Sequence, residues 1–315
     1  MNVELNPNLL QDICCLIEPK KLLESQHVSI ETEKEVQKVL NLLLTMIQNG
    51  EIDSDKALPI PDEMTNLLPV KEYQTVKEIE LFGEHIKSYI KVFFCDSEED
   101  LLKVPNMPTS NINWKYKKMV LVLVCCNHQL SLDKTSDTIW HEIMHGMQNN
   151  YITLKGKRKS QNGQDLMAAA LQMCRSQNQT ISSIGYLIYV TSRFEMPAFI
   201  SGAYGQLKTI YQFNGTITQE MLQNIEAYKL MELCRKKLEE IKNNDSNVEI
   251  SMILRDFRIN WTANHFVTLM VKKINRGFKV LYDIYNKLRD DFENNMTEIP
   301  MHESTYKPQC LICVR

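Results

Sequence analysis

Two histidines and a glutamate form the pattern with the clearest chemistry in this chain. His141, Glu142 and His145 stand in the order H-E-x-x-H, within a stretch whose residues predict a helix. In a helix, residues i and i+4 lie on one face, so both imidazoles project side by side and can bind one Zn²⁺. Glu142 points off that line but stays near the metal, where it can take a proton from a metal-bound water. The spacing therefore predicts a hydrolytic zinc site.

The sequence before the motif supports a helix at this position. The run Lys117–Cys126 is rich in Val and Leu and predicts a buried strand, and the polar residues 127–133 predict a loop. Residues 135–137, Thr-Ser-Asp, offer N-cap candidates for a helix from Thr138 to about Asn149. The alternative is an amphipathic surface helix whose histidines and glutamate are simply solvated.

The strand, the loop and the H-E-x-x-H helix together resemble the core of the zincin metallopeptidases. The resemblance covers about residues 89–211 and implies a zinc-dependent peptidase, with substrate added as a strand at the sheet edge near Met119–Cys126. The metzincin branch continues as H-E-x-x-H-x-x-G-x-x-H, and it does not fit because Gln148 and Tyr151 occupy the Gly and His positions. The gluzincin branch, which takes a Glu from a later helix as its third ligand, remains.

Two residues compete as the third ligand that this resemblance implies. Glu195, followed by Ala198, is similar to the E-x-x-A of gluzincin-like families, where the small residue lets the two helices pack closely. Glu195 also fits a capping box with Ser192, in which it would only satisfy a backbone N–H. Asp165, 20 residues after His145, is the alternative ligand, although its setting is also typical of a helix N-cap.

Further donors to the site are less clearly marked by the sequence. Phe199 stands four residues after Glu195, so the E-x-x-x-D extension of gluzincins is missing and the partner that orients His141 stays unassigned. His265 and Tyr204 are candidates for stabilising the oxyanion of a peptidase reaction. For each of them, the stronger interpretation is a residue that merely packs in the fold or, for the histidine, is partly exposed.

Composition limits the partners. The chain has 315 residues, of which 43% are hydrophobic, and a net charge of -3. That length suits one large domain or two smaller ones, and so small a charge gives no strong attraction to nucleic acid or membrane. The basic run at 155–159 predicts a solvated loop. It lacks the interleaved aromatic residues on which the bases of a bound single-stranded nucleic acid stack. A nucleic-acid partner is therefore not expected, and the resemblance to the zincins implies a protein or peptide substrate.

Cysteine usage and the terminal sequence indicate a compartment. The nine cysteines are odd in number and irregular in spacing, which fits a reducing environment. The N-terminal residues lack the basic and apolar regions of a signal peptide. The apolar run Met119–Cys126 is far too short to span a bilayer. We therefore expect an intracellular, cytoplasmic protein.

The predicted architecture is α+β and mostly α. A small mixed β-sheet packs on the H-E-x-x-H helix, with helical lobes before and after it, as in zincins. The sheet includes a hairpin around Gly83-Glu84. We divide the chain into an N-terminal helical segment and connector (1–70), a zincin-like catalytic core (71–212), and a C-terminal helical lobe and tail (213–315).

A second hypothesis keeps the zinc but not the catalysis. The chain could be a catalytically idle zincin-fold protein that binds a partner or has a regulatory role, with a structural zinc. A structural zinc is closed by a fourth protein ligand, for which His302 or a C-terminal cysteine is available. Glu142 is not needed for a structural zinc, so its presence favours the enzyme.

Overall fold

The computed structural model describes residues 25–61, 67–127, 129–154, 161–296 and 311–313. Over these ranges the fold is α+β and mostly helical, with one mixed sheet, so the predicted class is confirmed. The basic run at 155–159 and His302 lie outside the described residues. None of the helices described combines the length and the apolar character that crossing a membrane requires.

The elements follow one another from the N-terminal helix to a short final strand. The helices are α1 Ser25–Gln48, α2 Glu98–Leu101, α3 Leu132–Leu154, α4 Gln161–Cys174, α5 Gln179–Val190, α6 Glu195–Asn214, α7 Gln219–Asn224, α8 Glu226–Asn244, α9 Asn247–Asp256 and α10 Ala263–Met296. The strands are β1 Leu58–Pro59, β2 Val70–Leu81, β3 Glu84–Cys95, β4 Asn111–Asn113, β5 Lys118–Cys126, β6 Gln129–Ser131 and β7 Leu311–Cys313.

The sheet is built around two long neighbouring strands. Its order is β1-β2-β3-β5-β6-β7, with β4 also paired to β5. Strands β2 and β3 form the predicted hairpin, in which Phe82 and Gly83 have φ of 53° and 74°, as a tight hairpin turn requires. Strands β3 and β5 are parallel, which makes the sheet mixed. Strand β5 has β3 along one side, and β4 and β6 pair with its two ends on the other side. Within the described residues, 121–124 have no strand partner on that second side, so the expectation that substrate adds near Met119–Cys126 stays a prediction.

Two short strands and the start of the motif helix differ from prediction. The expected loop 127–133 contains β6, and α3 begins directly after it at Leu132, so residues 135–137 lie inside the helix and are not its N-cap. Strand β4 is another three-residue element that sequence periodicity does not reveal. Segments this short show no alternation of their own, and β4 and β6 form because they pair with β5.

A large hydrophobic core joins the sheet to the helices. One cluster of buried side chains extends from Val36 on α1 to Leu288 on α10 and includes Ile90 and Leu121 of the sheet and Ile143 of α3. A smaller cluster covers the other sheet face, around Phe93. The large cluster has members in each of the three predicted segments, and the division of the chain into those segments stays a prediction.

Helices α3 and α6 approach each other closely because α6 presents small residues. Ser201 donates a hydrogen bond from Oγ to the carbonyl oxygen of Trp140 at 3.3 Å. A Cβ added to Gly205 would lie 2.1 Å from Cδ1 of Trp140, and one added to Gly202 would lie 2.4 Å from Oδ1 of Asp137. Side chains larger than hydrogen would therefore force the two helices apart at both positions.

The carboxyl group of Asp137 lies in this interface and should make the free energy of unfolding depend on pH. Burial, followed by the nearby Glu226 and Asp133 carboxylates, raises the pKa of Asp137 to about 7. An unfolded aspartate titrates near about pH 4, so between these two values the folded chain holds a proton that the unfolded chain has lost. Stability therefore falls as pH rises through that window, by at most about 4 kcal/mol.

We predict that Asp137→Asn unfolds at a higher denaturant concentration than the wild type near about pH 8 and loses most of this advantage near about pH 4. Urea unfolding of both proteins across this pH range measures the difference. Asp256→Asn, at an exposed aspartate at the end of α9, is the control and should show no such trend. A stability difference between Asp137→Asn and wild type that is independent of pH would contradict the prediction.

Candidate metal centre

Three donor atoms converge where α6 begins beside α3. His141 and His145 project from one face of α3, and their Nε2 atoms are 3.1 Å apart. Glu195 is the first residue of α6. One of its carboxylate oxygens lies 3.5 Å from Nε2 of His145 and 3.8 Å from Nε2 of His141. The structure thus brings together the two predicted histidines and Glu195, the favoured third ligand.

The spacing of these atoms suits a zinc ion. Zinc–ligand bonds of 2.0–2.2 Å in a tetrahedron place neighbouring ligand atoms roughly 3.3–3.5 Å apart, and the three observed separations of 3.1, 3.5 and 3.8 Å bracket that range. Two imidazoles and one carboxylate are also a donor set of catalytic zinc. Within the part of the chain that the structure describes, no fourth His, Cys, Asp or Glu joins the group. A fourth coordination position is thus not filled by these residues.

The protonation of the three residues reflects burial and mutual attraction. Burial, with the charge of His145, lowers the pKa of His141 to about 4, against the opposing effect of Glu195. Burial also acts to lower the pKa of His145, but the hydrogen bond and charge of Glu195 outweigh it and raise that pKa. For Glu195, burial is outweighed by hydrogen bonds and charges from the histidines, so its pKa lies below the ordinary value. His141 is therefore neutral, the form that binds metal.

Glu142 lies next to the three candidate ligands without joining them. Its side chain is buried, with 8% of its surface exposed. Burial is the main cause that raises the pKa of Glu142 to about 8, and the Glu195 carboxylate adds to it, while His145 and a hydrogen bond from the Ile112 backbone lower it. Ile112 is the middle residue of β4. The candidate base is therefore held between the metal ligands and a strand at the sheet edge.

Gln148 connects both parts of the ligand set, which the sequence analysis did not foresee. Its Oε1 lies 3.1 Å from Nδ1 of His145, and its Nε2 donates to the carbonyl oxygen of Phe194 at 3.0 Å. A hydrogen bond at Nδ1 leaves Nε2 of His145 to face the metal. Phe194 immediately precedes Glu195, so one side chain holds both the ring of His145 and the backbone next to Glu195. The i, i+3 spacing from His145 was the available signal.

The start of α6 is held by further contacts. The Glu195 backbone N–H donates to Oγ of Ser192 at 3.0 Å, so this half of the predicted capping box is present. The Glu195 carboxylate is directed to the histidines, and the capping and ligand interpretations are therefore compatible. Lys273 on α10 donates to the carbonyl oxygen of Thr191 at 2.8 Å. The ring of Phe199, at the position where gluzincins have Asp, packs against His141 with ring centroids 4.7 Å apart.

The other predicted site residues do not belong to the group of three. Tyr204 is buried and packs against Trp140, with ring centroids 5.2 Å apart. His265 is exposed and lies beside Trp261. Asp165 is exposed in α4, which begins at Gln161, so it is not the N-cap either.

A residue that the sequence analysis did not single out takes a place at the site. Tyr189 on α5 forms a side-chain hydrogen bond with Glu195, and burial, then the charge of Glu195, raises the pKa of its phenol. It belongs to the helix before the ligand-bearing one, and nothing in its spacing from the motif indicates the contact. Tyr189 is therefore a hydroxyl donor to the carboxylate of the candidate metal centre.

Comparison with known proteins gives no relative: no family model matches the chain, and no curated protein or solved structure matches it.

We predict that Gln148→Leu weakens zinc binding by about 10–100-fold, the usual effect of removing a partner that orients a ligand. Leucine fills a similar volume but can neither accept from His145 nor donate to Phe194. Competition between the protein and a fluorescent zinc chelator measures the affinity. Gln172→Leu, at an exposed glutamine on α4, is the control. Equal zinc affinity of Gln148→Leu and the control would show that the bridge does not position the ligands.

Proposed function

We propose that this chain is a zinc-dependent peptidase of the gluzincin-like type. The observation that carries the proposal is the convergence of His141, His145 and Glu195 at separations suited to zinc, with the carboxylate of Glu142 beside them and not among them. A structural site has no use for such a carboxylate, whereas hydrolysis requires a base next to the metal.

The chain's own residues would divide the work of peptide hydrolysis. Zinc bound by the three ligands would supply Lewis acidity toward a water molecule and toward the carbonyl of the scissile bond. Without a metal, burial favours the protonated form of Glu142, and the charge of a zinc ion beside it would favour the ionised form. The Glu142 carboxylate would then accept a proton from the attacking water and deliver it to the nitrogen of the leaving amine. Because this carboxylate is largely shielded from solvent, the proton it accepts is retained for that nitrogen. Gln148 would keep His145 and the start of α6 in place throughout.

Strand β4 is the best candidate for the element that aligns the substrate. Within the described residues β4 pairs with β5 and with no other strand, so its second edge is available for an extended peptide. The backbone of Ile112, which hydrogen-bonds with Glu142, belongs to this strand. A peptide added along β4 would therefore pass directly beside the base. This arrangement favours an endopeptidase that binds its substrate in an extended conformation.

Zinc content and cleavage measured together test the proposed function. We predict that Glu142→Gln keeps bound zinc but lowers the cleavage of denatured casein and of a fluorogenic peptide library by at least about 10²-fold, since it removes the general base. His141→Ala should lose both zinc and cleavage. Glu78→Gln, at an exposed glutamate on β2, is the matched control and should behave like wild type. Cleavage by Glu142→Gln at the wild-type rate would contradict the proposal.

Zinc content and cleavage, together with the identity of the metal ligands, also test the catalytically idle alternative. A zinc-loaded wild-type protein that cleaves neither probe, with a fourth protein ligand on the metal, would favour a regulatory or partner-binding protein. His302 and Cys310, two candidates for that ligand, lie outside the described residues.

Tyr189 is proposed as the donor that stabilises the oxyanion, in place of Tyr204 and His265. Its hydroxyl reaches Glu195, so it lies beside the position where substrate oxygen would carry negative charge. We predict that Tyr189→Phe lowers kcat by about 10²-fold while KM stays nearly unchanged. Zinc affinity is measured in parallel and should stay within a few-fold of wild type. A loss confined to zinc affinity, with normal kcat at saturating zinc, would show that Tyr189 only positions Glu195.

A further inference from the structure

Two cysteines on neighbouring strands have their sulfur atoms in contact. Cys95 ends β3 and Cys126 ends β5, and the two residues are register partners in the parallel pair. Their Sγ atoms are 3.1 Å apart. Cys95 is buried and Cys126 is partly exposed. Both belong to the smaller hydrophobic cluster around Phe93, on the sheet face opposite the large core.

We propose that Cys95 and Cys126 form a reversible disulfide, a redox modification site separate from the metal centre. Neighbouring strands lie about 4.7–4.9 Å apart, within the Cα separations of about 4.4–6.8 Å that disulfides span. The sulfur atoms must approach by about 1 Å to reach bonding distance. Rotation of two short side chains provides this movement without displacing either strand.

The surroundings of the pair favour disulfide chemistry over metal binding. Within the described part of the chain, the pair is not joined by a third His, Cys, Asp or Glu that would complete a metal site. Cys125, the adjacent cysteine, belongs to the large core on the other face of the sheet. Each of the two sulfur atoms is therefore the nearby partner with which the other can form a disulfide.

The different exposure of the two thiols determines which of them reacts first. Burial, followed by the contact with Cys126, raises the pKa of the Cys95 thiol, so it stays protonated. The partly exposed Cys126 is the sulfur that an oxidant in solution reaches first. With glutathione disulfide as the oxidant, the Cys126 thiolate attacks one of its sulfurs and expels one glutathione thiolate. Cys95 then attacks the Cys126 sulfur of the mixed disulfide, and its proton passes to the expelled glutathione thiolate, which leaves as the thiol. One disulfide is thus formed and one is reduced.

The crosslink would enclose a segment that reaches the metal centre. It joins residues 31 positions apart, and the enclosed chain contains β4, whose Ile112 contacts Glu142. Just beyond it, the N–H of Asn127 donates to the carbonyl oxygen of Cys95 at 3.0 Å, at the turn that leads to β6 and α3. Because the closed loop restricts the unfolded chain, oxidation should raise Tm by roughly 5 °C.

The full-length protein incubated with glutathione disulfide provides the test. We expect the loss of two of the nine thiols, a Cys95–Cys126 linkage in a non-reducing peptide map, and a higher Tm that dithiothreitol reverses. Cys126→Ala should show neither the linkage nor the shift, and the mixed disulfide should be trapped on Cys126 in Cys95→Ala. Cys125→Ala is the matched control, which should keep both the linkage and the shift.

Two results would overturn the proposal. One is a wild-type map in which glutathione remains on Cys126 or in which Cys126 pairs with another cysteine. The other is a thermal shift of the same size in Cys126→Ala. If Cys95→Ala fails to fold, the wild-type map and Cys126→Ala still decide between these outcomes.

Discussion

The close contact between α3 and α6 is the constraint on which the candidate metal centre depends. The two histidines are one turn apart on α3, but Glu195 lies 50 residues beyond His145 and reaches them because α6 starts against the motif helix. Gly202 and Gly205 leave no room for a Cβ at this contact. Wider separation of the helices would move the Glu195 carboxylate away from both Nε2 atoms. The three donor atoms would then be too far apart to bind one ion, although all three residues would still be present.

Around this contact, the elements that serve the site have distinct tasks. Helix α3 provides two nitrogen donors and the Glu142 carboxylate, and α6 provides the third donor. Gln148 joins these two elements by hydrogen bonds to His145 and to the residue before Glu195. Strand β4 adds a backbone contact to Glu142. The candidate ligands and the candidate base are thus oriented by partners on helices and a strand, as a site that holds a metal in fixed geometry would require.

The sequence could predict the parts of this arrangement that are local. The two histidines and Glu142 follow from helical spacing, and the hairpin and β5 follow from alternation and composition. Glu195 could be ranked above Asp165 by resemblance, but its capping pattern left the choice open. Gln148 and Tyr189 could not be assigned, because their roles depend on contacts with Phe194 and Glu195 that form when separate helices pack. Strand β4 was missed because three residues carry no periodic pattern.

X-ray absorption at the zinc edge of the zinc-loaded, full-length protein tests the central claim most directly, since it reports the donors around the metal. His141, His145 and Glu195 as ligands predict two imidazole nitrogens and oxygen donors at about 2.0–2.2 Å, without sulfur. Glu195→Gln should change the oxygen shell and leave the two imidazoles in place. A sulfur shell near about 2.3 Å, or a spectrum unchanged by Glu195→Gln, would contradict the proposed centre.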